Sequence, residues 1–238
     1  MKHPFLLPIL SLAMLTACNS TPTDKKEPEV QVKKEKRKAN IIKKPLNIPY
    51  EFSYITNMGS VDIIYTQGDY HIDIEGDSAM LQHVDANFDS SLLTVSIRTD
   101  KNNEVNLFGT TSNVRMYVSC PELHCVSVCG NGSFESAETW KGNDIRLGML
   151  GTGALKLGKI ECKTLTLESS NIGNVTIGDL QAQEATIYSR SSANIDVNLN
   201  VEELTVLNEG KQTITLNGTA KTTLIKNPKD GRLTNNLK

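Results

Sequence analysis

The second half of the chain repeats one pattern of apolar and polar positions. Four consecutive blocks of 20, 20, 19 and 19 residues carry it: 144–163, 164–183, 184–202 and 203–221. Within each block, two short runs alternate apolar and polar residues, which is the period of a β-strand with one buried face. Glycine, serine and asparagine separate the runs, and these residues turn a chain rather than extend it. Each block is therefore predicted to form two short strands and two corners.

The apolar residues of the four blocks fall into columns. The columns are Ile145, Leu165, Ala185, Leu204; Leu147, Leu167, Ile187, Val206; Leu155, Val175, Ile195, Ile214; and Leu157, Ile177, Val197, Leu216. A helical repeat would space apolar residues by three and four, and a propeller blade would need about twice this period. The pattern predicts an all-β fold, a single right-handed parallel β-helix in which the coils stack. Asn174 and Asn194 share a corner column, where an amide ladder or ordinary polar packing would fit equally.

The segment 120–143 is interpreted as a specialised coil upstream of the repeat. In it, Val126 and Val128 fill the columns of the first strand, and Phe134 fills the third column after a shortened corner, "CGNG". Trp140 aligns with Ile160 of the next block, which favours a place in the core.

The remaining residues extend or close the predicted solenoid. Residues 45–119 alternate like strands, with a short helical turn at "SAMLQHV", and form a β-rich N-terminal cap. The β-helix domain is assigned to 46–225. Residues 226–238 contain proline, glycine and lysine and are predicted to be a C-terminal edge cap or tail.

The N-terminus predicts export and a lipid anchor. The apolar run 4–17 has 14 residues, fewer than the about 20 that span a bilayer, but enough for a signal peptide over 1–17. The following "LTAC" (15–18) resembles the lipobox of bacterial lipoproteins, in which the peptide is cut before the cysteine and the thiol is acylated. Cys18 is therefore the predicted lipidation site. The alternative is a conventional signal peptide followed by an incidental cysteine.

Charge divides the chain into a basic segment and an acidic body. Residues 24–44 carry nine Lys or Arg and four acids, a net charge of +5. Lys2 accounts for one more base, so 45–238 retains 15 bases against 23 acids, or −8. An acidic body disfavours nucleic acid as a partner. The basic segment fits a charged, flexible tether over 18–45, between the membrane anchor and the body.

Several segments of the chain resemble a known family. The succession "GSVDIIYTQGDYHIDIEGD", "SLLTVSI", "VRMYVSCPEL", "GNGSFE" and "LGTGALKLG" is similar to the head GIN domain described as a "putative auto-transporter adhesin", common in lipoproteins of Bacteroidetes. The resemblance covers about 46–225. It implies a β-helix on the cell envelope with an adhesive or binding role, and the family offers no established catalytic residues to carry over. Family members often keep a Gly-Ser-Gly-like corner in each coil, whereas here later corners read "SSNIG", "SRSSA" and "NEGK".

Four cysteines remain after Cys18: Cys120, Cys125, Cys129 and Cys162. Cys162 lies in the column of Ala182, Val201 and Ala220, where a buried free thiol fits. A Cys125–Cys129 or Cys120–Cys125 disulfide remains an alternative. A zinc site with His124 is disfavoured, because "CPELHCVSVC" lacks the two-residue cysteine spacing of structural zinc sites.

The predicted outward rows give little sign of catalysis. One row reads Arg146, Thr166, Thr186, Thr205, and another reads Lys156, Thr176, Asp196, Thr215. Carbohydrate cleavage needs carboxylates close together, and no acid is expected to recur on adjacent coils. Tyr188, Phe134 and Trp140 are too scattered for a sugar-stacking platform. The sequence therefore predicts no catalytic, cofactor-binding or metal-binding residues and no cofactor.

Two functions are compatible with these features. The first is a lipid-anchored, non-enzymatic envelope protein that presents a β-helical surface to a protein or a glycan. The alternative is a polysaccharide lyase or hydrolase on the same scaffold. An outer-membrane lipoprotein facing the periplasm is favoured, because "NSTPTDKKE" (19–27) is not the acidic run of surface lipoproteins. Surface exposure remains the alternative.

Overall fold

Sixteen β-strands and one short helix form the part of the chain that the computed structural model describes, residues 39–97, 114–227 and 231–238. The strands are β1 (Ile41–Pro45), β2 (Tyr54–Asn57), β3 (Asp62–Gln67), β4 (His71–Asp77), β5 (Val84–Asp89), β6 (Leu92–Ile97), β7 (Arg115–Cys120), β8 (Cys125–Val128), β9 (Ser133–Lys141), β10 (Asp144–Met149), β11 (Ala154–Glu161), β12 (Thr164–Ser169), β13 (Asn174–Ser189), β14 (Ile195–Asn208), β15 (Thr213–Lys226) and β16 (Arg232–Leu237). The helix is α1 (Ser78–Leu81). The fold is a β-solenoid, as the repeat predicted, and it has about six turns.

Each coil consists of a short strand, a tight corner and a longer strand. The short strands β2, β8, β10 and β12 stack in parallel on one face, and the longer strands β3, β9, β11 and β13 stack in parallel beyond the corner. In β13, β14 and β15 the longer strand of one coil continues into the short strand of the next. Each of these strands therefore finds its parallel partners one coil away, and the rest of the coil serves as the crossover that parallel pairing requires.

The four predicted apolar columns are confirmed in register. Leu167, for example, pairs with Leu147 on the preceding coil and with Ile187 on the following one. The sixteen columnar side chains are at most 3% exposed. Since no single coil could enclose these residues, stacking itself removes them from water and stabilises the fold.

Glycines at the corner allow the backbones of successive coils to touch. A β-carbon added at Gly153 would lie 1.8 Å from the carbonyl oxygen of Gly132, and one at Gly151 would lie 2.0 Å from that of Gly130. A side chain at either position would force the coils apart. The glycine-containing corners are thus a packing requirement of the stack.

The register of the coil over 120–143 differs from the prediction. Val126 pairs with Leu147 and Val128 with Met149, so both valines lie one column further along than expected. The corner 129–132 is not shortened: it has the same length as 150–153, and the backbone contact between Gly132 and Gly153 fixes their alignment. Phe134 does pair with Leu155, as predicted.

The N-terminal part both begins and caps the solenoid. β2 and β3 form the first coil in chain order and pair in parallel with β8 and β9 on one side and with β6 and β7 on the other. β4 then lies antiparallel on β7, and the hairpin of β5 and β6 adds β6 in parallel to β2. Between them, α1 occupies the predicted helical turn, and the Asp77 side chain caps it by accepting a bond from the Ala79 amide, 2.9 Å long.

Both ends of the described body carry strands that the sequence did not predict. Ile41–Pro45, assigned to the tether, forms β1 and pairs antiparallel with β4. Arg232–Leu237, assigned to an edge cap or tail, forms β16 and pairs in parallel with the first half of β15. The second half of β15 has one strand neighbour, β14, among the described residues.

Candidate binding surface

The predicted lipidation site lies outside the described residues, as does the whole segment 1–38. The described helix has four residues, and among 39–97, 114–227 and 231–238 no helix has the length and apolar character needed to cross a membrane. The anchor at Cys18 therefore stays a prediction.

The four described cysteines are all free thiols. Burial raises the pKa of Cys120 and of Cys162 to about 12, so both thiols are protonated near neutral pH and are poor nucleophiles. Cys162 is half-buried, because the small residues of its column leave an open groove outside it. His124 lies 3.6 Å from Glu122, and the described residues contain no group of three or more potential metal ligands.

The aromatic side chains of Trp140, Tyr65 and Phe134 belong to the core. Trp140 is fully buried, as predicted, and its ring centroid lies 5.4 Å from that of Tyr65 and 6.0 Å from that of Phe134. The Trp140 indole N–H donates a 3.0 Å hydrogen bond to the carbonyl oxygen of Leu123. These rings stabilise the first coils and are not available for stacking on a sugar.

Among the described residues, the surface carboxyls whose pKa is shifted, those of Glu209, Glu161 and Asp73, all have a lowered pKa. A hydrogen bond from Arg190, with a second from Tyr188, lowers the pKa of Glu209, and bonds from Lys159 and Lys141 lower that of Glu161. His71 and Lys43 do the same for Asp73. A glycosidase acid needs the opposite shift, since it must keep its proton near neutral pH.

Two acids do recur on adjacent coils, against the prediction. Glu184 and Glu203 pair in register across β13 and β14. Both residues lie at the junction between two coils. The outward rows predicted from the alternation do not extend to this junction. Both are exposed, whereas catalytic carboxylates are normally held in a cleft.

A long open groove runs along one corner of the last coils. Its volume is about 600 Å³, and we call it the amide-lined groove. Its floor is the column of Cys162, Ala182, Val201 and Ala220, and Lys238 lies at one end; the remaining lining residues are Gln181, Gln183, Asn200, Glu202, Thr219 and Lys221. The floor residues are small or only partly buried, so the coil surface is hollow at this corner.

Side-chain hydrogen bonds, two of them between coils, hold one wall of the amide-lined groove in place. The Gln181 side-chain amide donates to Asp179 over 2.7 Å, and Asn200 donates to the Gln181 side-chain oxygen over 3.0 Å. The Thr219 hydroxyl in turn donates to the Asn200 side-chain oxygen over 2.6 Å. This wall is a side-chain ladder with one rung per coil, and its polar groups are already oriented before any ligand arrives.

The predicted corner pair Asn174 and Asn194 forms polar packing instead of an amide ladder. The backbone N–H of Asn194 donates a 3.1 Å bond to the Asn174 side-chain oxygen. Side-chain amides do meet in another column, where Asn236 donates to Asn217 over 2.8 Å.

A second open groove, of about 650 Å³, follows the predicted outward row of Lys156, Thr176 and Asp196. Glu135 continues this row on the preceding coil and forms a 2.7 Å ion pair with Lys156. Glu135 and Asp196 are three coils apart, about 14 Å at the usual strand spacing. The carboxyls of a glycosidase pair lie within about 5–9.5 Å of each other, so this row does not form one.

The exposed side chains at the corner between the two strand faces change in character along the solenoid. The exposed residues Met58, Cys129 and Leu150 follow one another there on successive coils, and Arg190 and Glu209 occupy the same column further along. Apolar side chains thus give way to an ion pair, with 2.7 Å between Arg190 Nε and Glu209. This agrees with the loss of the Gly-Ser-Gly-like pattern in the later corners.

Neither groove was identified as a site from the sequence. The signal for the amide-lined groove was present, since Cys162, Ala182 and Ala220 are smaller than the residues of the other inward columns. The alternation marks them as inward-facing, but it does not show that the corner exposes their outer edge.

Solved structures of low sequence identity share this fold. A "putative adhesin" from Bacteroides fragilis matches with a TM-score of 0.64 and 16% identity, over 83% of this chain and 96% of that chain. A "putative adhesin" from Parabacteroides distasonis matches with a TM-score of 0.51 and 16% identity, over 84% of this chain and 96% of that chain. At such identities the likeness establishes the fold alone. Among curated proteins, the chain has no match.

A family model also matches the amino-acid sequence of this chain. The model is described as "Putative auto-transporter adhesin, head GIN domain" and matches residues 51–178, from the first coil into β13. This is more than half of the chain and includes the corner glycines Gly130, Gly132, Gly151 and Gly153 that pack coil on coil. The chain therefore belongs to the head GIN domain family of putative auto-transporter adhesins.

Proposed function

We propose that this protein is a lipid-anchored adhesin of the cell envelope, which binds a protein or glycan along its solenoid and carries out no catalysis. The amide-lined groove carries the proposal. It is open along its length and crosses four coils, from Cys162 to Ala220, which suits a long polymer better than a small substrate. Membership of an adhesin family supports the same function.

The alternative of a carbohydrate-active enzyme has less support. The carboxylates in the second groove are too far apart, and the shifted carboxyl pKa values all favour the ionised form. The adjacent pair Glu184 and Glu203 is exposed. A polymer bound along the groove would therefore remain intact.

The lipid anchor is proposed from the "LTAC" motif at Cys18, and the location is the outer membrane, with the body facing the periplasm. Metabolic labelling with a clickable palmitate analogue should mark the wild-type protein. The variant Cys18→Ala should remain unlabelled, because it lacks the thiol that receives the acyl chain. Equal labelling of both proteins would contradict the anchor.

The binding role can be tested with the full-length protein in intact cells. A photo-crosslinking residue in place of Thr219, on the groove wall, should capture an intact partner molecule. The same crosslinking residue in place of Asn87, which is exposed on β5 and far from Thr219 in the sequence, is the matched control and should capture no partner. Equal capture at both positions, or none at Thr219, would contradict binding in the amide-lined groove. Capture of cleaved polymer would favour the enzyme.

A further inference from the structure

We infer that the amide-lined groove binds an uncharged polysaccharide chain that lies along the solenoid axis. This deepens the proposed adhesive function and rests on it. Three properties of the groove support the assignment: its chemical lining, its charge and the spacing of its polar groups.

The lining offers both kinds of contact that a sugar ring makes. The floor of Cys162, Ala182, Val201 and Ala220 is apolar and can pack against C–H groups of the ring. The wall of Gln181, Asn200 and Thr219 offers amide and hydroxyl groups to sugar hydroxyls. A side-chain amide has two N–H donors, and the ladder uses one of those on Asn200, which leaves a second for a ligand.

Two of the three charged side chains that line the groove pair with each other. Lys221 and Glu202, on adjacent coils, form an ion pair of 2.5 Å, and the other groove residues from Cys162 to Ala220 are neutral side chains. Lys238 lies at the end of the groove. A polyanion would gain little from this lining and would meet Glu202, while a polycation would meet Lys221. An uncharged ligand avoids like-charge repulsion, and it has no charge of its own to remove from water.

The spacing of the wall favours a pyranose chain over an extended peptide. Gln181, Asn200 and Thr219 pair in register, so their polar groups repeat at about 4.8 Å, the distance between neighbouring strands. Side chains on one face of an extended peptide repeat at about 6.7 Å and fall out of step at the next coil. A β-1,4-linked pyranose chain advances by nearly the coil spacing per sugar, so each rung can lie beside one sugar, with alternate sugars presenting opposite edges to the wall.

The test uses the full-length protein and neutral β-1,4-linked hexasaccharides of glucose and of N-acetylglucosamine, with oligogalacturonate as a polyanionic comparison. At least one neutral hexasaccharide should bind more tightly than its disaccharide, because it spans more rungs. Asn200→Ala, which removes the central rung, should weaken binding about tenfold, as should Ala182→Arg, which fills the floor.

The matched control is Asn236→Ala. It removes a similar inter-coil amide bond, to Asn217, but neither residue lines the groove, so binding should not change. Unchanged thermal unfolding of Asn200→Ala would show that its loss of binding is local. Preferential binding of oligogalacturonate, or equal losses in Asn200→Ala and Asn236→Ala, would overturn the glycan assignment.

The cell crosslink separates this inference from the proposed function. If the crosslinker at Thr219 captures a protein and neither neutral hexasaccharide binds, the adhesin role stands and the glycan assignment fails. If it captures nothing and neither sugar binds, both proposals fail.

Discussion

Replacing Leu167 with alanine should lower the free energy of unfolding by about 2–5 kcal/mol. Leu167 is fully buried and pairs with Leu147 and Ile187 on the coils on either side. Truncation therefore removes apolar contacts on three coils at once and leaves a cavity, because the backbone hydrogen bonds between coils prevent the gap from closing. Denaturant unfolding measured by circular dichroism would give the change.

Thr166→Ala is the matched control for Leu167→Ala. Thr166 is the preceding residue on the same strand but lies on the outward row, between Arg146 and Thr186. Its truncation should cost well under about 1 kcal/mol, because a solvated hydroxyl is lost and no cavity forms. Similar losses in both variants would mean that the alternation of inward and outward residues is wrong at this strand.

The sequence was sufficient to predict the columns of the regular coils. In a solenoid the repeat length equals the length of one coil, so residues such as Leu155 and Val175 that align in the sequence also pair in space. The same rule failed at Val126 and Val128. There the register depends on backbone contact at Gly132 and Gly153, and a count of apolar positions does not report such a contact.

Features that depend on contacts between distant segments were harder to predict. "IIKKP" at 41–45 has the composition of a tether, and it becomes a strand because the edge of β4 is available for antiparallel pairing. In the same way, Glu184 and Glu203 become neighbours through the pairing of β13 with β14. The secondary-structure propensity of each segment on its own predicts neither contact.

The repeat predicts which residues form the column at the candidate site, but it does not predict that this column forms a groove. Alternation assigned Cys162, Ala182, Val201 and Ala220 to one inward column, which the pairing supports. Whether such a column lies deep in the core or forms the floor of a groove depends on how sharply the coil bends there. The ladder of Asn200 with Gln181 follows from the same geometry, because both side chains point outward beside that bend.

Trp140→Ala should cost about 3–5 kcal/mol of unfolding free energy. Trp140 is fully buried between Tyr65 and Phe134, and pairs in register with Ile160 of the next coil. Its removal leaves the largest possible single-residue cavity in the first coils and also deprives the Leu123 carbonyl of its indole partner.

Trp140→Phe separates these two contributions to the stability. Phenylalanine keeps a ring in the column but cannot donate to the carbonyl of Leu123, so we expect a loss of about 1–3 kcal/mol, the usual cost of an unsatisfied buried polar group. Neither variant should alter binding in the amide-lined groove at a temperature where it remains folded, because Trp140 does not line that groove. If Trp140→Ala unfolds at the same denaturant concentration as the wild type but loses its ligand, the indole is a binding residue, and its assignment to the core is wrong.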